Sequence, residues 1–166
     1  MDRTDFLPLM YACRAGHINV VKFLLEKGSD ASSYLSGHSS LDAAIMANSP
    51  AMIRLLLQHG AMIEDRGVGG RPAMISAAAN GSVESLQELL DCGADPNATD
   101  LLGNTALHLA ASEIKEKSSR VINLLLCRGA DKNIPNLAGV TANTLALRSL
   151  NMEIIEAMGA RNNKLS

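Results

Sequence analysis

Aromatic side chains are almost missing from this chain, with two Tyr, two Phe and no Trp among 166 residues. Their absence removes the stacking platforms that single-stranded nucleic acid needs. Charge does not take their place, because a net charge of −2 gives no overall attraction to nucleic acid or to anionic lipid. No apolar run approaches the roughly 18 residues that a bilayer span requires. Met1-Asp2-Arg3-Thr4-Asp5 lacks the charged-then-apolar order of a secretion signal. Cysteine is scarce and odd in number: Cys13, Cys92 and Cys127 form no tight spacing. Reduced thiols in a cytoplasmic or nuclear compartment are therefore expected, and a four-ligand metal site is not. No glycine-rich phosphate loop, His-Glu-x-x-His or Cys-x-x-Cys occurs. The expectation is a protein that is not an enzyme, with no cofactor, no metal and no small-molecule substrate.

What is present is repetition. Leu-rich runs lead into Gly28-Ser29-Asp30, Gly60-Ala61, Gly93-Ala94-Asp95-Pro96-Asn97 and Gly129-Ala130-Asp131-Lys132-Asn133, the glycines being 32, 33 and 36 residues apart (60−28, 93−60, 129−93). A second register lies upstream of each. Leu7 to Cys13, Ser39 to Ile45, Pro72 to Ala78, Thr105 to Ala111 and Thr141 to Leu147 each place small apolar residues at their sixth and seventh positions or close to them. That spacing is helical, and Ala at those positions lets neighbouring helices approach closely. Breaks at Gly16-His17, Asn48-Ser49-Pro50, Gly81-Ser82 and Ser118-Ser119 separate a first helix from a second. Ser49 reads as a capping hydroxyl ahead of a ring-fixed Pro50. Gly37, Gly70, Gly103 and Gly139 sit where a tight turn needs positive φ. The unit is turn, helix, loop, helix. Such units cannot bury their own apolar faces and must stack.

The chain resembles the ankyrin repeat family, marked by a 33-residue period and a Thr-Pro-Leu-His-x-Ala opening. Asp100-Leu101-Leu102-Gly103-Asn104-Thr105-Ala106-Leu107-His108-Leu109-Ala110-Ala111 departs from that opening at Ala106, where the family has Pro. The resemblance implies an all-α solenoid of helix-turn-helix units with short β-turn or hairpin tips. It forms one domain over residues 1–166, with repeats near 2–33, 34–66, 67–99, 100–135 and 136–166. Tips and first helices would together make a concave face. An insertion of three residues around Ile114-Lys115-Glu116 accounts for the longest gap and should lengthen a loop opposite the tips. Units one and five depart most from the pattern (Leu150 replaces a Gly, and the first has no preceding tip). They read as end caps, either of a complete solenoid or of a repeat domain within a longer polypeptide.

Three of the four histidines have structural readings, and the fourth, His38, falls on a tip. In the family, the residue at the place of His108 ties the turn to adjacent backbone; His17 follows a helix-ending Gly16, and His59 stands where a cation suits a helix C-terminus. Asp42, in the place of that His in the second unit, reads as a local turn bond. Cys13 falls on a helix-packing position and reads as a small buried hydrophobe.

Function is expected at the tips. Their second residues are Arg3, Leu35, Val68, Leu101 and Leu137, of which the last four are an apolar ladder, joined by Phe6, Leu102 and Val140 and rimmed by His38, Arg66, Arg71 and Asn104. An exposed apolar ladder with a polar rim marks a protein-contact surface. Arg14, Met46, Asn80, Glu113 and Arg148 on the first helices should line the same concavity. The expected partner is another protein, bound by a monomer, with no nucleic acid and no membrane; the role is adaptor, scaffold or stoichiometric inhibitor. Two alternatives come from the resemblance: a small ankyrin inhibitor of a protein kinase, and a substrate of asparaginyl hydroxylation. The latter would act at Asn97 or Asn133, although Pro96 and Lys132 replace the usual aliphatic residue before each.

Overall fold

The fold, a computed structural model, describes residues 6–35, 37–67, 70–112 and 117–159, without the side chains of Phe6, Leu7 and Leu35. In chain order its elements are α1 (Phe6–Arg14), α2 (Ile18–Glu26), β1 (Tyr34–Leu35), β2 (His38–Ser39), α3 (Ser40–Met46), α4 (Pro50–Gln58), α5 (Ala73–Asn80), α6 (Val83–Asp91), α7 (Ala106–Ser112), α8 (Ser118–Cys127), α9 (Ala142–Arg148) and α10 (Met152–Gly159). They form two rows. The first helices α1, α3, α5, α7 and α9 pack side by side as an inner row, and α2, α4, α6, α8 and α10 do so as an outer row. Each inner helix also packs on the outer helix of its own unit. The expected all-α solenoid is what is found.

Small residues set the pitch of the inner row. Ala12, Ala44, Ala77, Ala110 and Ala146, one per unit at an equivalent position, are all buried. Val21, Ile53, Leu86 and Ile122 do the corresponding work in the outer row, where each is fully buried. These residues belong to one continuous apolar core that runs the length of the stack. Core continuity across units is what gives a repeat array its stability, since each unit alone would leave one face in water.

Outer helices end as the Leu-Gly phrase demands. Ser29 N–H donates to Leu24 O and Gly28 N–H to Leu25 O; Gly60-Ala61, Gly93-Ala94 and Gly129-Ala130 repeat that pair of bonds. This paired closure satisfies carbonyls the helix would otherwise leave open. Inner helices α1, α3 and α5 close the same way at Gly16, Asn48 and Gly81. Asn48 and Leu150 stand at left-handed φ values of 46° and 52° in the place that Gly fills elsewhere.

One local expectation fails. Ser49 precedes α4 and Pro50 occupies its first turn, but the Ser49 hydroxyl makes no capping bond. Its carbonyl instead accepts from Met52 and Ile53 N–H. With Pro50 removing one of the helix's open donors, the hydroxyl has less to cap. The neighbouring Asn48 serves a different helix: its side-chain oxygen accepts from the backbone N–H and hydroxyl of Ser85 in the first turn of α6, at 3.2 and 3.1 Å. The inserted segment around 113–116 and the chain before Phe6 lie outside the described residues.

Candidate protein-binding surface

Each tip is a short antiparallel turn standing between an outer helix and the next inner one. β1 pairs with β2 (Tyr34 with Ser39, Leu35 with His38), and single bridges join Arg66 to Pro72, Thr99 to Thr105 and Pro135 to Thr141. In the fourth unit the Asp100 carboxylate accepts from Leu102 and Asn104 N–H, at 2.9 and 2.8 Å, and Gly103 N–H closes onto Asp100 O. Asn136 repeats that arrangement in the fifth, accepting from Ala138 and Val140 N–H at 3.0 Å each. A carboxylate or amide oxygen at this place mimics a backbone turn. It leaves the next two side chains pointing away from the fold.

Those side chains are leucines and alanine. Leu101, Leu102 and Leu137 are 68%, 65% and 80% exposed. Leu137 N–H donates to Leu102 O at 3.0 Å, so the fourth and fifth tips are hydrogen-bonded neighbours. Leu101 leans on the third tip, since a β-carbon added at Gly70 would come within 2.7 Å of its Cγ. Three large apolar groups thus share one contiguous edge. His38 and Arg71 are exposed on the second and third tips. Val68 lies outside the described residues, and for Leu35 and Phe6 only the backbone is described.

Two of the expected contact residues have structural bonds already. Arg66 Nη1 donates to Gly70 O at 2.8 Å within its own tip and to Thr99 O at 2.9 Å in the next. Asn104 donates to Asp100 Oδ2 at 3.2 Å and accepts from Asn136 Nδ2 at 2.8 Å. Both hold tips together. On the inner row, Arg14, Met46 and Arg148 occupy one equivalent position and are exposed. Asn80 is also exposed but lies one residue further along its helix than the register of those three. Glu113 lies outside the described residues.

His108 is buried and wholly engaged. Its Nδ1 accepts from Thr105 N–H at 3.1 Å, and Nε2 reaches Val140 O in the next tip at 2.9 Å. Asp42 takes the same place in the second unit, where it forms a reciprocal capping box with Ser39. Asn97, one of the two asparagines singled out for modification, spans two units: Asp131 N–H donates to its Oδ1 at 2.8 Å, and its Nδ2 donates to Gly129 O at 3.4 Å. Ser32 makes the equivalent reach to Gly60 O. Asn133 is exposed, its N–H held by Asp131 Oδ1.

The outer row carries a separate polar cluster. Arg54 on α4 grips the buried Glu88 on α6 through two bonds, Nε to Oε1 at 2.8 Å and Nη2 to Oε2 at 2.7 Å. Cys92 Sγ lies 3.4 Å from the same carboxylate. The Arg54 hydrogen bonds hold the Glu88 carboxyl below its ordinary range, while burial and then the Glu88 bond push the Cys92 thiol up. A shallow groove of about 650 Å³ lies here, lined by Arg54, Leu57, Ile63, Glu88, Asp91 and Cys92. A protonated thiol beside a paired carboxylate is a poor nucleophile, so the cluster reads as a clamp between units. No group of three or more potential metal ligands occurs among the described residues.

The sequence profile of ankyrin repeats, in three copies, matches residues 1–67 and 62–136. The chain belongs to the ankyrin repeat family. Its repeats are 36% identical over 116 residues to ankyrin repeat protein nuc-2 of Neurospora crassa, covering 66% of this chain and 10% of that protein. They are 33% identical over 137 residues to neurogenic locus notch homolog protein 1 of Danio rerio, covering 81% of this chain and 6% of that one. A putative ankyrin repeat protein of fowlpox virus is 32% identical over 166 residues, covering 95% of this chain and 48% of its own length. The ankyrin units therefore span half or less of each of these relatives. Ankyrin repeat domains as a class bind other proteins, and no described helix is long and apolar enough to cross a membrane.

Proposed function

We propose that the chain is a non-catalytic adaptor, scaffold or stoichiometric inhibitor that binds a partner protein, as a monomer, through its tips and inner helices. The observation that carries this reading is the apolar edge of Leu101, Leu102 and Leu137, all more than half exposed on tips bonded to one another. Water-facing leucine triples on a soluble face are costly unless something covers them in use. Arg14, Met46 and Arg148 extend the surface along the inner row, and Arg and Met are types enriched at interface cores. The three free thiols support a reducing compartment, cytoplasm or nucleus.

The test is capture of partners by wild type beside a Leu101→Ser/Leu102→Ser variant, read by mass spectrometry. Proteins held by the first and lost from the second support the tips. Identical capture by both would move the binding surface elsewhere.

A further inference from the structure

The exposed acids of the described residues are confined to one side of the stack, and what they leave on the other names the chemistry of the partner. Among the described residues of the tips and inner helices, the exposed ionisable groups are Arg14, His38, Arg66, Arg71 and Arg148. The described acids on that side are Asp42 and Asp100, both buried and spent on capping and turn bonds, and the half-buried Asp65, which accepts a hydrogen bond from Tyr34 of the second tip. Exposed acids lie on the outer helices (Glu26, Glu84, Asp91, Glu153, Glu156) or in the turns that follow them (Asp30, Glu64, Asp95, Asp131). The described tips and inner helices thus expose cations without exposed acids, whereas the outer row mixes these acids with the exposed Lys22, Lys27, Arg54, Lys117, Arg120 and Arg128. Arg14, Arg71 and Arg148 make no ion pair with any described residue, whereas Arg54 and Arg128 of the outer row are both paired.

Resting on the proposed tip-and-inner-helix surface, we propose that its partner is an acidic protein segment bearing apolar side chains. The apolar groups of that segment cover Leu101, Leu102 and Leu137, and its carboxylates meet Arg14, Arg71 and Arg148. Unpaired guanidiniums suit this job, because a planar fork takes a carboxylate through two hydrogen bonds. Like-signed charge on one face also steers an oppositely charged partner to that face rather than to the outer row, where both signs are mixed. A nucleic acid fits less well. Three free guanidiniums spread over five units neutralise few phosphates, and leucines gain nothing from a phosphate backbone.

The experiment pans a phage library of random peptides on the intact chain and measures the enriched peptides by fluorescence anisotropy. Two variants are compared: Arg14→Glu/Arg71→Glu/Arg148→Glu and Leu101→Ser/Leu137→Ser, each with a thermal midpoint matching wild type. Enriched peptides are expected to carry excess Asp and Glu among Leu, Ile, Val or Phe. Their affinity should fall at least about tenfold in the arginine variant and fall again with added salt. Neutral or basic enriched peptides, or failure to enrich any, would overturn the proposal. Peptides lost from the leucine variant but indifferent to the arginine one would sink the acidic partner and leave the tip surface standing. Indifference to both variants would remove both. A short DNA duplex that bound more tightly than any peptide, through the same arginines, would reassign the face to nucleic acid.

Discussion

The carboxylate of Asp42 occupies the space in which a β-carbon at position 67 would stand. Asp42 opens the inner helix of the second unit and Gly67 opens the tip of the third, so the two units meet there without a side chain between them. In the fourth and fifth units the corresponding pair differs: His108 reaches the backbone of the next tip, and that tip opens with Asn136. Asp42 and Gly67 are thus one solution to the junction, and His108 with Asn136 another.

Coupling between the first two should be measurable. Gly67→Ala forces a methyl against a buried, bonded carboxylate and should cost about 1–3 kcal/mol. Asp42→Ala loses the capping box, at about 1 kcal/mol. The double variant should cost less than the sum by about 1 kcal/mol or more, because the second change removes the clash. Urea unfolding of the four proteins gives the cycle; strict additivity would show that the junction has slack.

Leu150 should be replaceable at a gain. It holds φ 52° where the other units use Gly or Asn, and it is 85% exposed, so little burial is at stake. Leu150→Gly removes a left-handed strain of about 1–2 kcal/mol and adds back part of that as chain entropy. The expected net is a stabilisation of about 0.5–1 kcal/mol, seen as a thermal midpoint higher by about 2–4 °C. A lower midpoint would mean that the leucine packs in a way its exposure hides.

Glu88 should make stability sensitive to acid. The Arg54 hydrogen bonds keep its folded carboxyl below the ordinary 4.5. The stabilisation is therefore fully present above that value and is lost as the pH falls through the depressed one. Glu88→Gln breaks the two-bond pair and should be the less stable protein near neutrality. The gap between it and wild type should close as the pH is lowered past the carboxylate range. Urea midpoints taken across that range would show the closure; a constant gap would mean that the pair contributes no acid dependence.

The three thiols should divide two to one. Cys92 and Cys127 are exposed, whereas Cys13 is buried and its thiol is pushed up to about 12 by that burial. A thiol reagent at neutral pH should label Cys127 in the native protein and Cys13 only after unfolding. Cys92 should also be labelled in the native protein, but more slowly, because burial and then the Glu88 bond push its thiol up. Prompt labelling of all three would show that α1 opens locally.

Much of this architecture was legible because it is written in spacing. Gly28, Gly60, Gly93 and Gly129 set a register that placed Leu101, Leu102 and Leu137 on exposed tips and Cys13 in the core. What spacing does not carry is the bonding along the stack, which joins residues 26 to 37 positions apart. Arg66 looks like a free rim cation in sequence, yet it is held by Thr99 O in the next tip. Asn97 looks like a modification target, yet its amide bridges two units. Ser49 has the local signature of a cap, but its hydroxyl makes no capping bond, while the Asn48 oxygen beside it reaches α6 in the next unit. Local propensity cannot rank such competitors, since the deciding partner comes from a neighbouring repeat.

The most direct test of the account is the Leu101→Ser/Leu102→Ser/Leu137→Ser protein, with partner binding and thermal midpoint measured on the same sample. Side chains this exposed contribute little to folding, although Leu101 touches the third tip. The account predicts that binding is abolished while the midpoint drops by no more than about 2–4 °C. Retained binding would contradict it, and so would a collapse in stability, which would make the leucines part of the core.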